Sequence, residues 1–324
     1  MRAIYVHETG GPEKLGLFDA AAPAAGPGEL LVQTHATGLN FIETYQRAGV
    51  YPLPLPFIPG GEASGTVLAV GAGVTRFAPG DRVCTAEGHA TYAEQFVIAA
   101  ERAARVPTGV SLETAAALPL QGLTAHYLAR SIAQPEAGDT VLVHAGAGGV
   151  GLLLTQLLTA RGVRVLSTAS SPAKAALSRT AGAEEVLGYA DFAERARELT
   201  GGSGVSVVYD GVGRDTFDGS LAALRIRGSL VLFGGASGQV PPVDPQRLNA
   251  GGSLSLTRPT LAHFLATPEE RAWRYRELFT AVQAGALDVR IGARFPLADA
   301  GLAHAALEGR RTTGKVLLEP AAKR

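Results

Sequence analysis

The sequence has almost no sulfur chemistry to offer. Its 324 residues include one cysteine, Cys84. That excludes an intrachain disulfide, a four-cysteine zinc site and a C-x-x-C redox pair, and it suits a reducing compartment. Charge is sparse and balanced, with 29 Lys and Arg against 29 Asp and Glu. There is no long basic run, so nucleic acid is not expected as a partner. No uninterrupted apolar run approaches membrane-spanning length, and the opening MRAIYVHETGG lacks the apolar stretch of a signal peptide. The expected location is therefore the cytoplasm, with no membrane partner. Neither H-E-x-x-H nor a G-x-S-x-G elbow occurs. The seven histidines (His7, His35, His89, His126, His144, His263, His304) are scattered, and none pairs with Cys84 at metal-ligand spacing. Each reads as a packed or surface residue, no metal is expected, and a nucleophile-based hydrolase has no support. The 46% hydrophobic content suffices for sizeable cores, and the length suggests roughly two domains.

What is abundant is glycine, 41 residues, and its most informative cluster is TVLVHAGAGGVG at 140–151. Val141, Leu142 and Val143 form a short apolar run of the kind found in a fully buried parallel strand. It ends in glycines and leads into the apolar helix start Val150-Gly151-Leu152. Gly146, Gly148 and Gly151 stand at G-x-G-x-x-G spacing. Such a turn needs one glycine for its tightness, a second where backbone approaches a pyrophosphate, and a third for close helix–strand contact. The helix N-terminus presents unpaired N–H groups to the phosphates. A plain strand–helix turn is the bland alternative, but a second strand at 163–168 follows Gly162 and favours dinucleotide binding.

Taken in order, residues 1–110 read as short strands between Gly/Pro turns: 2–6, 29–37, 65–70, 82–85 and 92–98, with one short helix at 41–48. Two irregular pieces stand out, Asn40–Tyr45 opening that helix and the stiff loop Tyr51-Pro52-Leu53-Pro54-Leu55-Pro56. Ser111 is a plausible N-cap, Pro119 interrupts, and 121–129 resumes as helix. Strands near 140–145, 163–168, 205–210, 229–234 and 253–257 then alternate with helices near 149–161, 172–181, 191–199 and 214–224, with a short strand suggested at 185–187. This alternation predicts an open, mostly parallel, doubly wound sheet. Helices at 268–284 and 299–307 and a strand at 314–319 close the chain, without the βαβ pattern.

The end of the second strand bears on the nucleotide. A carboxylate about 20 residues past the glycines would bind a ribose 2′-OH. Here the segment reads Ser167-Thr168-Ala169-Ser170-Ser171, with Lys174 following, which suits the 2′-phosphate of NADPH. Without a metal to stabilise charge on an acceptor oxygen, the acceptor should already be electrophilic, as quinones and conjugated enones are.

Several segments together resemble the zinc-independent quinone oxidoreductases of the medium-chain dehydrogenase/reductase superfamily, the zeta-crystallin relatives. They are Gly38-Leu39-Asn40-Phe41-Ile42-Glu43-Thr44-Tyr45, Gln121-Gly122-Leu123-Thr124, Ala147-Gly148-Gly149-Val150-Gly151, Val208-Tyr209-Asp210, Val212-Gly213-Arg214-Asp215-Thr216, Thr257-Arg258-Pro259 and the strand after Gly314. The resemblance implies an α/β protein made of a GroES-like β domain and a Rossmann domain with a doubly wound parallel sheet. It divides the chain into 1–122 (GroES-like, first part), 123–263 (Rossmann, NADPH-binding) and 264–324 (return to the first domain), with a cleft holding nicotinamide and acceptor. By position it implies that Asn40, Tyr45 and Tyr51 line the acceptor end and Tyr127 faces the cofactor. Gly148, Gly149 and Val150 would hold the pyrophosphate, and Ser170, Lys174 and Tyr189 would surround the 2′-phosphate. Phe233, Ser237, Arg258 and Arg310 would clamp the rest of the nucleotide. A homodimer is implied as well.

Departures from the family pattern are local. Where zinc-dependent relatives carry Gly-His-Glu, this chain has Gly60-Gly61-Glu62, and a lysine of some relatives is Gln121 here. The expected activity is NADPH:quinone reduction. Its rivals are an NADPH-dependent enone or alkenal reductase and, from another class, a non-catalytic NADPH-binding redox sensor or RNA-binding protein.

Overall fold

The computed structural model describes residues 1–320 and divides into two compact units. One comprises residues 1–120, 272–285 and 289 onward, and the other 121–271 and 286–288.

The first unit opens with β1 (Arg2–Val6) and β2 (Leu15–Asp19), paired antiparallel. Then come β3 (Glu29–Leu39), α1 (Phe41–Arg47), β4 (Glu62–Val70), β5 (Arg82–Thr85), β6 (Gln95–Ala99), β7 (Ala104–Arg105) and α2 (Leu112–Ala117). Alternation along β3, β4 and β6 places Leu30, Val32, Val67, Phe96 and Ile98 on one buried face with Phe77 and Val83. Ser111 caps α2, its Oγ accepting from Thr114 N at 3.0 Å. The expected strand at 92–98 begins instead at Gln95. Tyr92 O accepts from Ile4 N and Glu94 N donates to Arg2 O, so this stretch pairs with β1 on one side, and only Glu94 O, accepting from Thr34 N, reaches β3.

The second unit holds most of α3 (Pro119–Arg130), then β8 (Thr140–Val143), α4 (Gly149–Thr159), β9 (Arg164–Thr168), α5 (Pro172–Thr180), β10 (Glu185–Leu187), α6 (Phe192–Glu198), β11 (Val205–Asp210), α7 (Phe217–Ala223), β12 (Leu224–Leu232), α8 (Gln246–Ala250) and β13 (Ser255–Thr257). Its six strands run in the order β10-β9-β8-β11-β12-β13, and every neighbouring pair is parallel. Numbered from β8, this is 3-2-1-4-5-6, the doubly wound order whose direction of winding reverses between β8 and β11. Every residue of β11 is buried, as a strand covered on both faces requires. Helix α7 starts at Phe217, later than the expected 214, because Gly213 N and the Thr216 hydroxyl are both committed to the Asp210 carboxylate.

Helix α9 (Pro268–Gln283), β14 (Ile291–Pro296), α10 (Ala300–Glu308) and β15 (Lys315–Glu319) follow. The last two strands complete a seven-stranded sheet of order β14-β15-β3-β4-β5-β7, with β6 paired to β3. The second unit includes residues up to Arg271; within it the Phe264 ring stacks on Tyr127, centroids 4.4 Å apart, and Arg271 donates to Leu265 O. Strands β2 and β14 had no counterpart in the sequence reading. β2 shows no alternation of burial, whereas β14 alternates half-buried Ile291, Ala293 and Phe295 with exposed Gly292, Arg294 and Pro296, a glycine and a proline weakening its strand signal.

Candidate active site

The glycine turn sits at the carboxyl end of β8, beside the reversal point of the parallel sheet, where such sheets bind ligands. Ala145 takes φ +53°, and Gly146 N donates to Thr168 O while Gly148 N donates to Ala145 O. A Cβ on Gly146 would lie 2.6 Å from Ser167 Oγ, and one on Gly151 would lie 3.0 Å from Gly146 Cα. Gly148 is the N-cap of α4, and its missing Cβ would meet only Ala145 O, at 3.1 Å. Beyond it the first turn of α4 directs the N–H groups of Gly149, Val150 and Gly151 away from the helix, without intrahelical acceptors. That open cradle, electropositive by the helix dipole, fits a pyrophosphate.

The turn is held from below by a buried relay. Asp210, fully buried, accepts from Val212 N (2.8 Å), Gly213 N (2.9 Å), Thr216 Oγ1 (2.8 Å) and Ser220 Oγ (2.8 Å). Because Ser220 spends its proton on Asp210, its oxygen accepts from His144 Nε2–H at 3.0 Å. His144 Nδ1 is then the acceptor for Thr168 Oγ1–H, also at 3.0 Å, and Thr168 Oγ1 accepts from Ala145 N at 3.2 Å. The relay thus fixes one neutral tautomer. Burial pushes His144 down to about 4 against the pull of Asp210. Its ring also lies nearly parallel to Tyr189, centroids 6.2 Å apart.

At the end of β9, Ser171 caps α5 by accepting from Lys174 N. Beside it Ser170 is exposed and Lys174 half-buried. Ser237 Oγ donates to Val212 O and accepts from Asp215 N, while Phe233 packs over Gly211. Both therefore lie at the carboxyl end of β11. Tyr127 is buried against Phe264, Arg258 is exposed with Nη1 on Pro259 O, and Arg310 belongs to the first unit. Gln121 lies against the cradle, where its carboxamide occupies the place of a Gly149 Cβ.

In the first unit, Asn40 stands between β3 and α1 and is 5% exposed. Glu43 Oε2 reaches back to accept from Asn40 N at 2.7 Å, the return half of a capping box. The Asn40 side chain turns inward, where its Oδ1 accepts from Lys315 Nζ at 2.7 Å and its Nδ2 donates to Glu62 Oε2 at 2.9 Å and Gly38 O at 3.3 Å. Lys315 is also ion-paired with Glu62. Burial pushes Glu43 up to about 7, against the attraction of Lys315. Tyr45 on α1 is half-buried, its ring 5.5 Å from that of Tyr51, edge to face, and 6.3 Å from Phe41. The far end of α1 is tied by Arg47, which donates to Glu308 Oε1 (2.7 Å), Gly10 O (3.0 Å) and His304 Nδ1 (3.1 Å). His304, pushed down to about 3 by burial and Arg47, hydrogen-bonds Tyr92 through Nε2. Tyr45 and Tyr51 are thus in contact beside α1, while Asn40 at its N-terminus turns its side chain to Lys315 and Glu62. Among the described residues no group of three or more His, Cys, Asp or Glu gathers as for a metal ion. The pairing of Glu62 with Lys315 and the His144 relay have no local signal in the sequence. Glu43 had a local signal, the Asn-x-x-Glu spacing of a capping box.

A split, mostly antiparallel domain joined to a doubly wound nucleotide-binding domain defines the medium-chain dehydrogenase/reductase class, and the comparisons agree. Residues 26–131 match the alcohol dehydrogenase GroES-like domain, and residues 149–273 match the domain described as zinc-binding dehydrogenase. A quinone oxidoreductase from Pseudomonas aeruginosa is 46% identical over 315 residues, 96% of this chain and 97% of that protein. A mycobacterial protein solved in complex with NADPH is 56% identical with a TM-score of 0.96, covering 99% of this chain and 100% of that one. A 2-haloacrylate reductase from a Burkholderia species is 39% identical over 331 residues, 99% of each chain. The chain belongs to the quinone oxidoreductases, the zinc-independent branch of the medium-chain dehydrogenase/reductases.

Proposed function

We propose that this chain is an NADPH:quinone oxidoreductase that passes reducing equivalents from NADPH to a quinone without a metal. The carrying observation is the cradle of Gly148, Gly149 and Val150 next to a β9 end that offers Ser170, Ser171 and Lys174 and no carboxylate. A 2′-phosphate needs a cation and donors there, whereas a ribose 2′-OH needs an acid. The relatives named quinone oxidoreductase, and one solved with NADPH, support the reading.

Bound NADPH supplies the hydride. Tyr189 joins Ser170 and Lys174 at the 2′-phosphate, and Tyr127, Phe233, Ser237, Arg258 and Arg310 hold the remainder of the nucleotide. Asn40, Tyr45 and Tyr51 form the acceptor end. Both Nδ2 protons of Asn40 are engaged, the one on Gly38 O in a long 3.3 Å bond. Asn40 therefore acts chiefly by position, and Tyr45 and Tyr51 present phenols to the acceptor. A quinone spreads the incoming charge through its π-system, and solvent supplies the proton.

The test is NADPH oxidation by 1,4-benzoquinone in chelator-treated buffer, followed by absorbance. Turnover with a preference for NADPH over NADH supports the reading; absence of turnover, or turnover that needs added zinc, rejects it. The 2-haloacrylate reductase relative favours one second reading, reduction of an activated alkene, and relative rates with benzoquinone and an alkenal separate the two. Tight NADPH binding with no acceptor oxidising it would indicate the non-catalytic role.

We further propose a homodimer and a cytoplasmic location. Strand β13 ends the parallel order, so one of its edges has no strand partner among the described residues, and such an edge invites pairing with a second copy. Light scattering after size exclusion checks the first. Cys84 is free and buried, in keeping with a reducing compartment, and cell fractionation checks the second. No helix among the described residues is long and apolar enough to cross a membrane.

A further inference from the structure

Three deeply buried charges of the first unit surround Asn40. Glu62 is 0% exposed, Lys315 and Glu43 1% each. Burying such groups is costly unless each is paired and hydrogen-bonded, and the arrangement is fully bonded around one carboxamide. An ammonium can only donate, so Lys315 Nζ, 2.7 Å away, demands the oxygen of Asn40. A carboxylate can only accept, so Glu62 Oε2, 2.9 Å away, demands the nitrogen. The two ions, paired to each other, impose opposite requirements and leave Asn40 one orientation. The other oxygen of Glu62 accepts from Leu120 N at 2.8 Å, in the first turn of α3. Gly38 makes room for the pair, since a Cβ there would lie 2.6 Å from Lys315 Cε. Asn40 N in turn is bonded to Glu43, which opens α1.

We propose that Lys315 and Glu62 are positioning residues for acceptor reduction: acting through Asn40 they set the N-terminus of α1 and hence the placement of Tyr45. The proposal rests on the quinone-reductase reading. It gives the quartet a testable electrostatic signature at Glu43. The charged and titratable groups that act on Glu43 are Lys315 and Glu62, from β15 and β4. Tyr92, which feels Glu43, lies in the loop before β6 and is held by His304 of α10, itself bonded to Arg47 of α1. Lys315 favours the ionised Glu43 and Glu62 opposes it.

The experiment compares wild type with Lys315→Met, Glu62→Gln and the double variant, all as full-length protein. NADPH affinity is measured by fluorescence, steady-state kinetics with 1,4-benzoquinone, and the Glu43 carboxyl by carbon-13 titration, assigned through Glu43→Gln. For both single variants kcat/KM for quinone is expected to fall at least ~10-fold, the scale of a lost charge-assisted hydrogen bond, while NADPH affinity stays within twofold. The Glu43 titration moves up in Lys315→Met and down in Glu62→Gln. Should a single variant fail to fold, the double variant removes both charges together and is expected to fold with kcat/KM still depressed. Folded variants with wild-type kcat/KM, or Glu43 shifts of the same sign, overturn the proposal. Wild-type turnover of benzoquinone is the separate control on the reading beneath it, and the titration needs no acceptor.

Discussion

Gln121 and Gly149 compete for one space: the Gln121 carboxamide fills the position that a Cβ on Gly149 would take. Glycine at 149 is therefore required by a neighbouring side chain, in addition to its proposed part in holding the pyrophosphate. Gly149→Ala should displace Gln121 and crowd the cradle, raising KM for NADPH about 10-fold. Because the obstacle is the end of a flexible side chain, Gln121→Ala in the same protein should recover part of that loss. A double-mutant cycle checks it, and purely additive effects would show that the two residues are independent.

Lys174 should decide between coenzymes. Replacing it by Met removes the cation at the β9 end while keeping most of the packing volume. A charge-assisted bond is worth about 1.5–3 kcal/mol, so the ratio of kcat/KM for NADPH over NADH should fall about 10- to 100-fold. The loss should appear in NADPH KM, with NADH kinetics almost unchanged. An unchanged ratio would move the 2′-phosphate site elsewhere.

Acid should act through two buried histidines. Both are held neutral in the fold, His144 near 4 and His304 near 3, against an ordinary value of 6.5. A depressed histidine means the unfolded chain binds more protons, so stability falls as pH drops below about 6.5 towards those values. Each contributes roughly 3 kcal/mol or more to that loss. Thermal unfolding at pH 7, 5.5 and 4.5 should show a steep decline. His304→Gln should flatten it, at some cost in stability at pH 7. A flat profile in wild type would contradict the buried neutral state.

Glu43 should act in the opposite pH direction. Its native value, near 7, lies above the ordinary 4.5. The native state therefore holds the extra proton between those values, and stability declines as pH rises from about 4.5 through 7. Glu43→Gln should remove that decline, worth on the order of 3 kcal/mol at most, at the expense of one of its two acceptor contacts, the cap on Asn40 N or the 3.3 Å bond from Gly61 N. Denaturant unfolding at pH 5 and pH 8 tests it. Equal slopes in wild type and variant would leave Glu43 ionised throughout.

Asp210→Asn probes the relay under the cradle. Its carboxylate accepts from two backbone and two hydroxyl donors, and an amide NH2 must face one of them as a second donor. A loss of about 2–4 kcal/mol is expected, together with weaker NADPH binding because Ser220, His144 and Thr168 lose their sense. Destabilisation without any change in NADPH affinity would separate the relay from the cradle.

Whatever depends on neighbours a few residues apart was legible in the chain itself. The glycine turn after Val143, the Ser111 cap, the strand at 205–210 and the alternation of strands with helices follow from backbone freedom, capping chemistry and apolar period. So does the missing acid after β9. The amphipathic clues failed at β2, where burial does not alternate, and at β14, where Gly292 and Pro296 break an alternation that is present. Tertiary structure alone decided that Lys315 meets Glu62, 253 residues earlier, and that Arg47 meets His304, 257 residues later. A lysine beginning a strand and a glutamate beginning another look solvent-bound from either side. The cost of burying a charge is removed only by a partner, and which partner arrives is settled by the pairing of β15 with β3 and of β3 with β4.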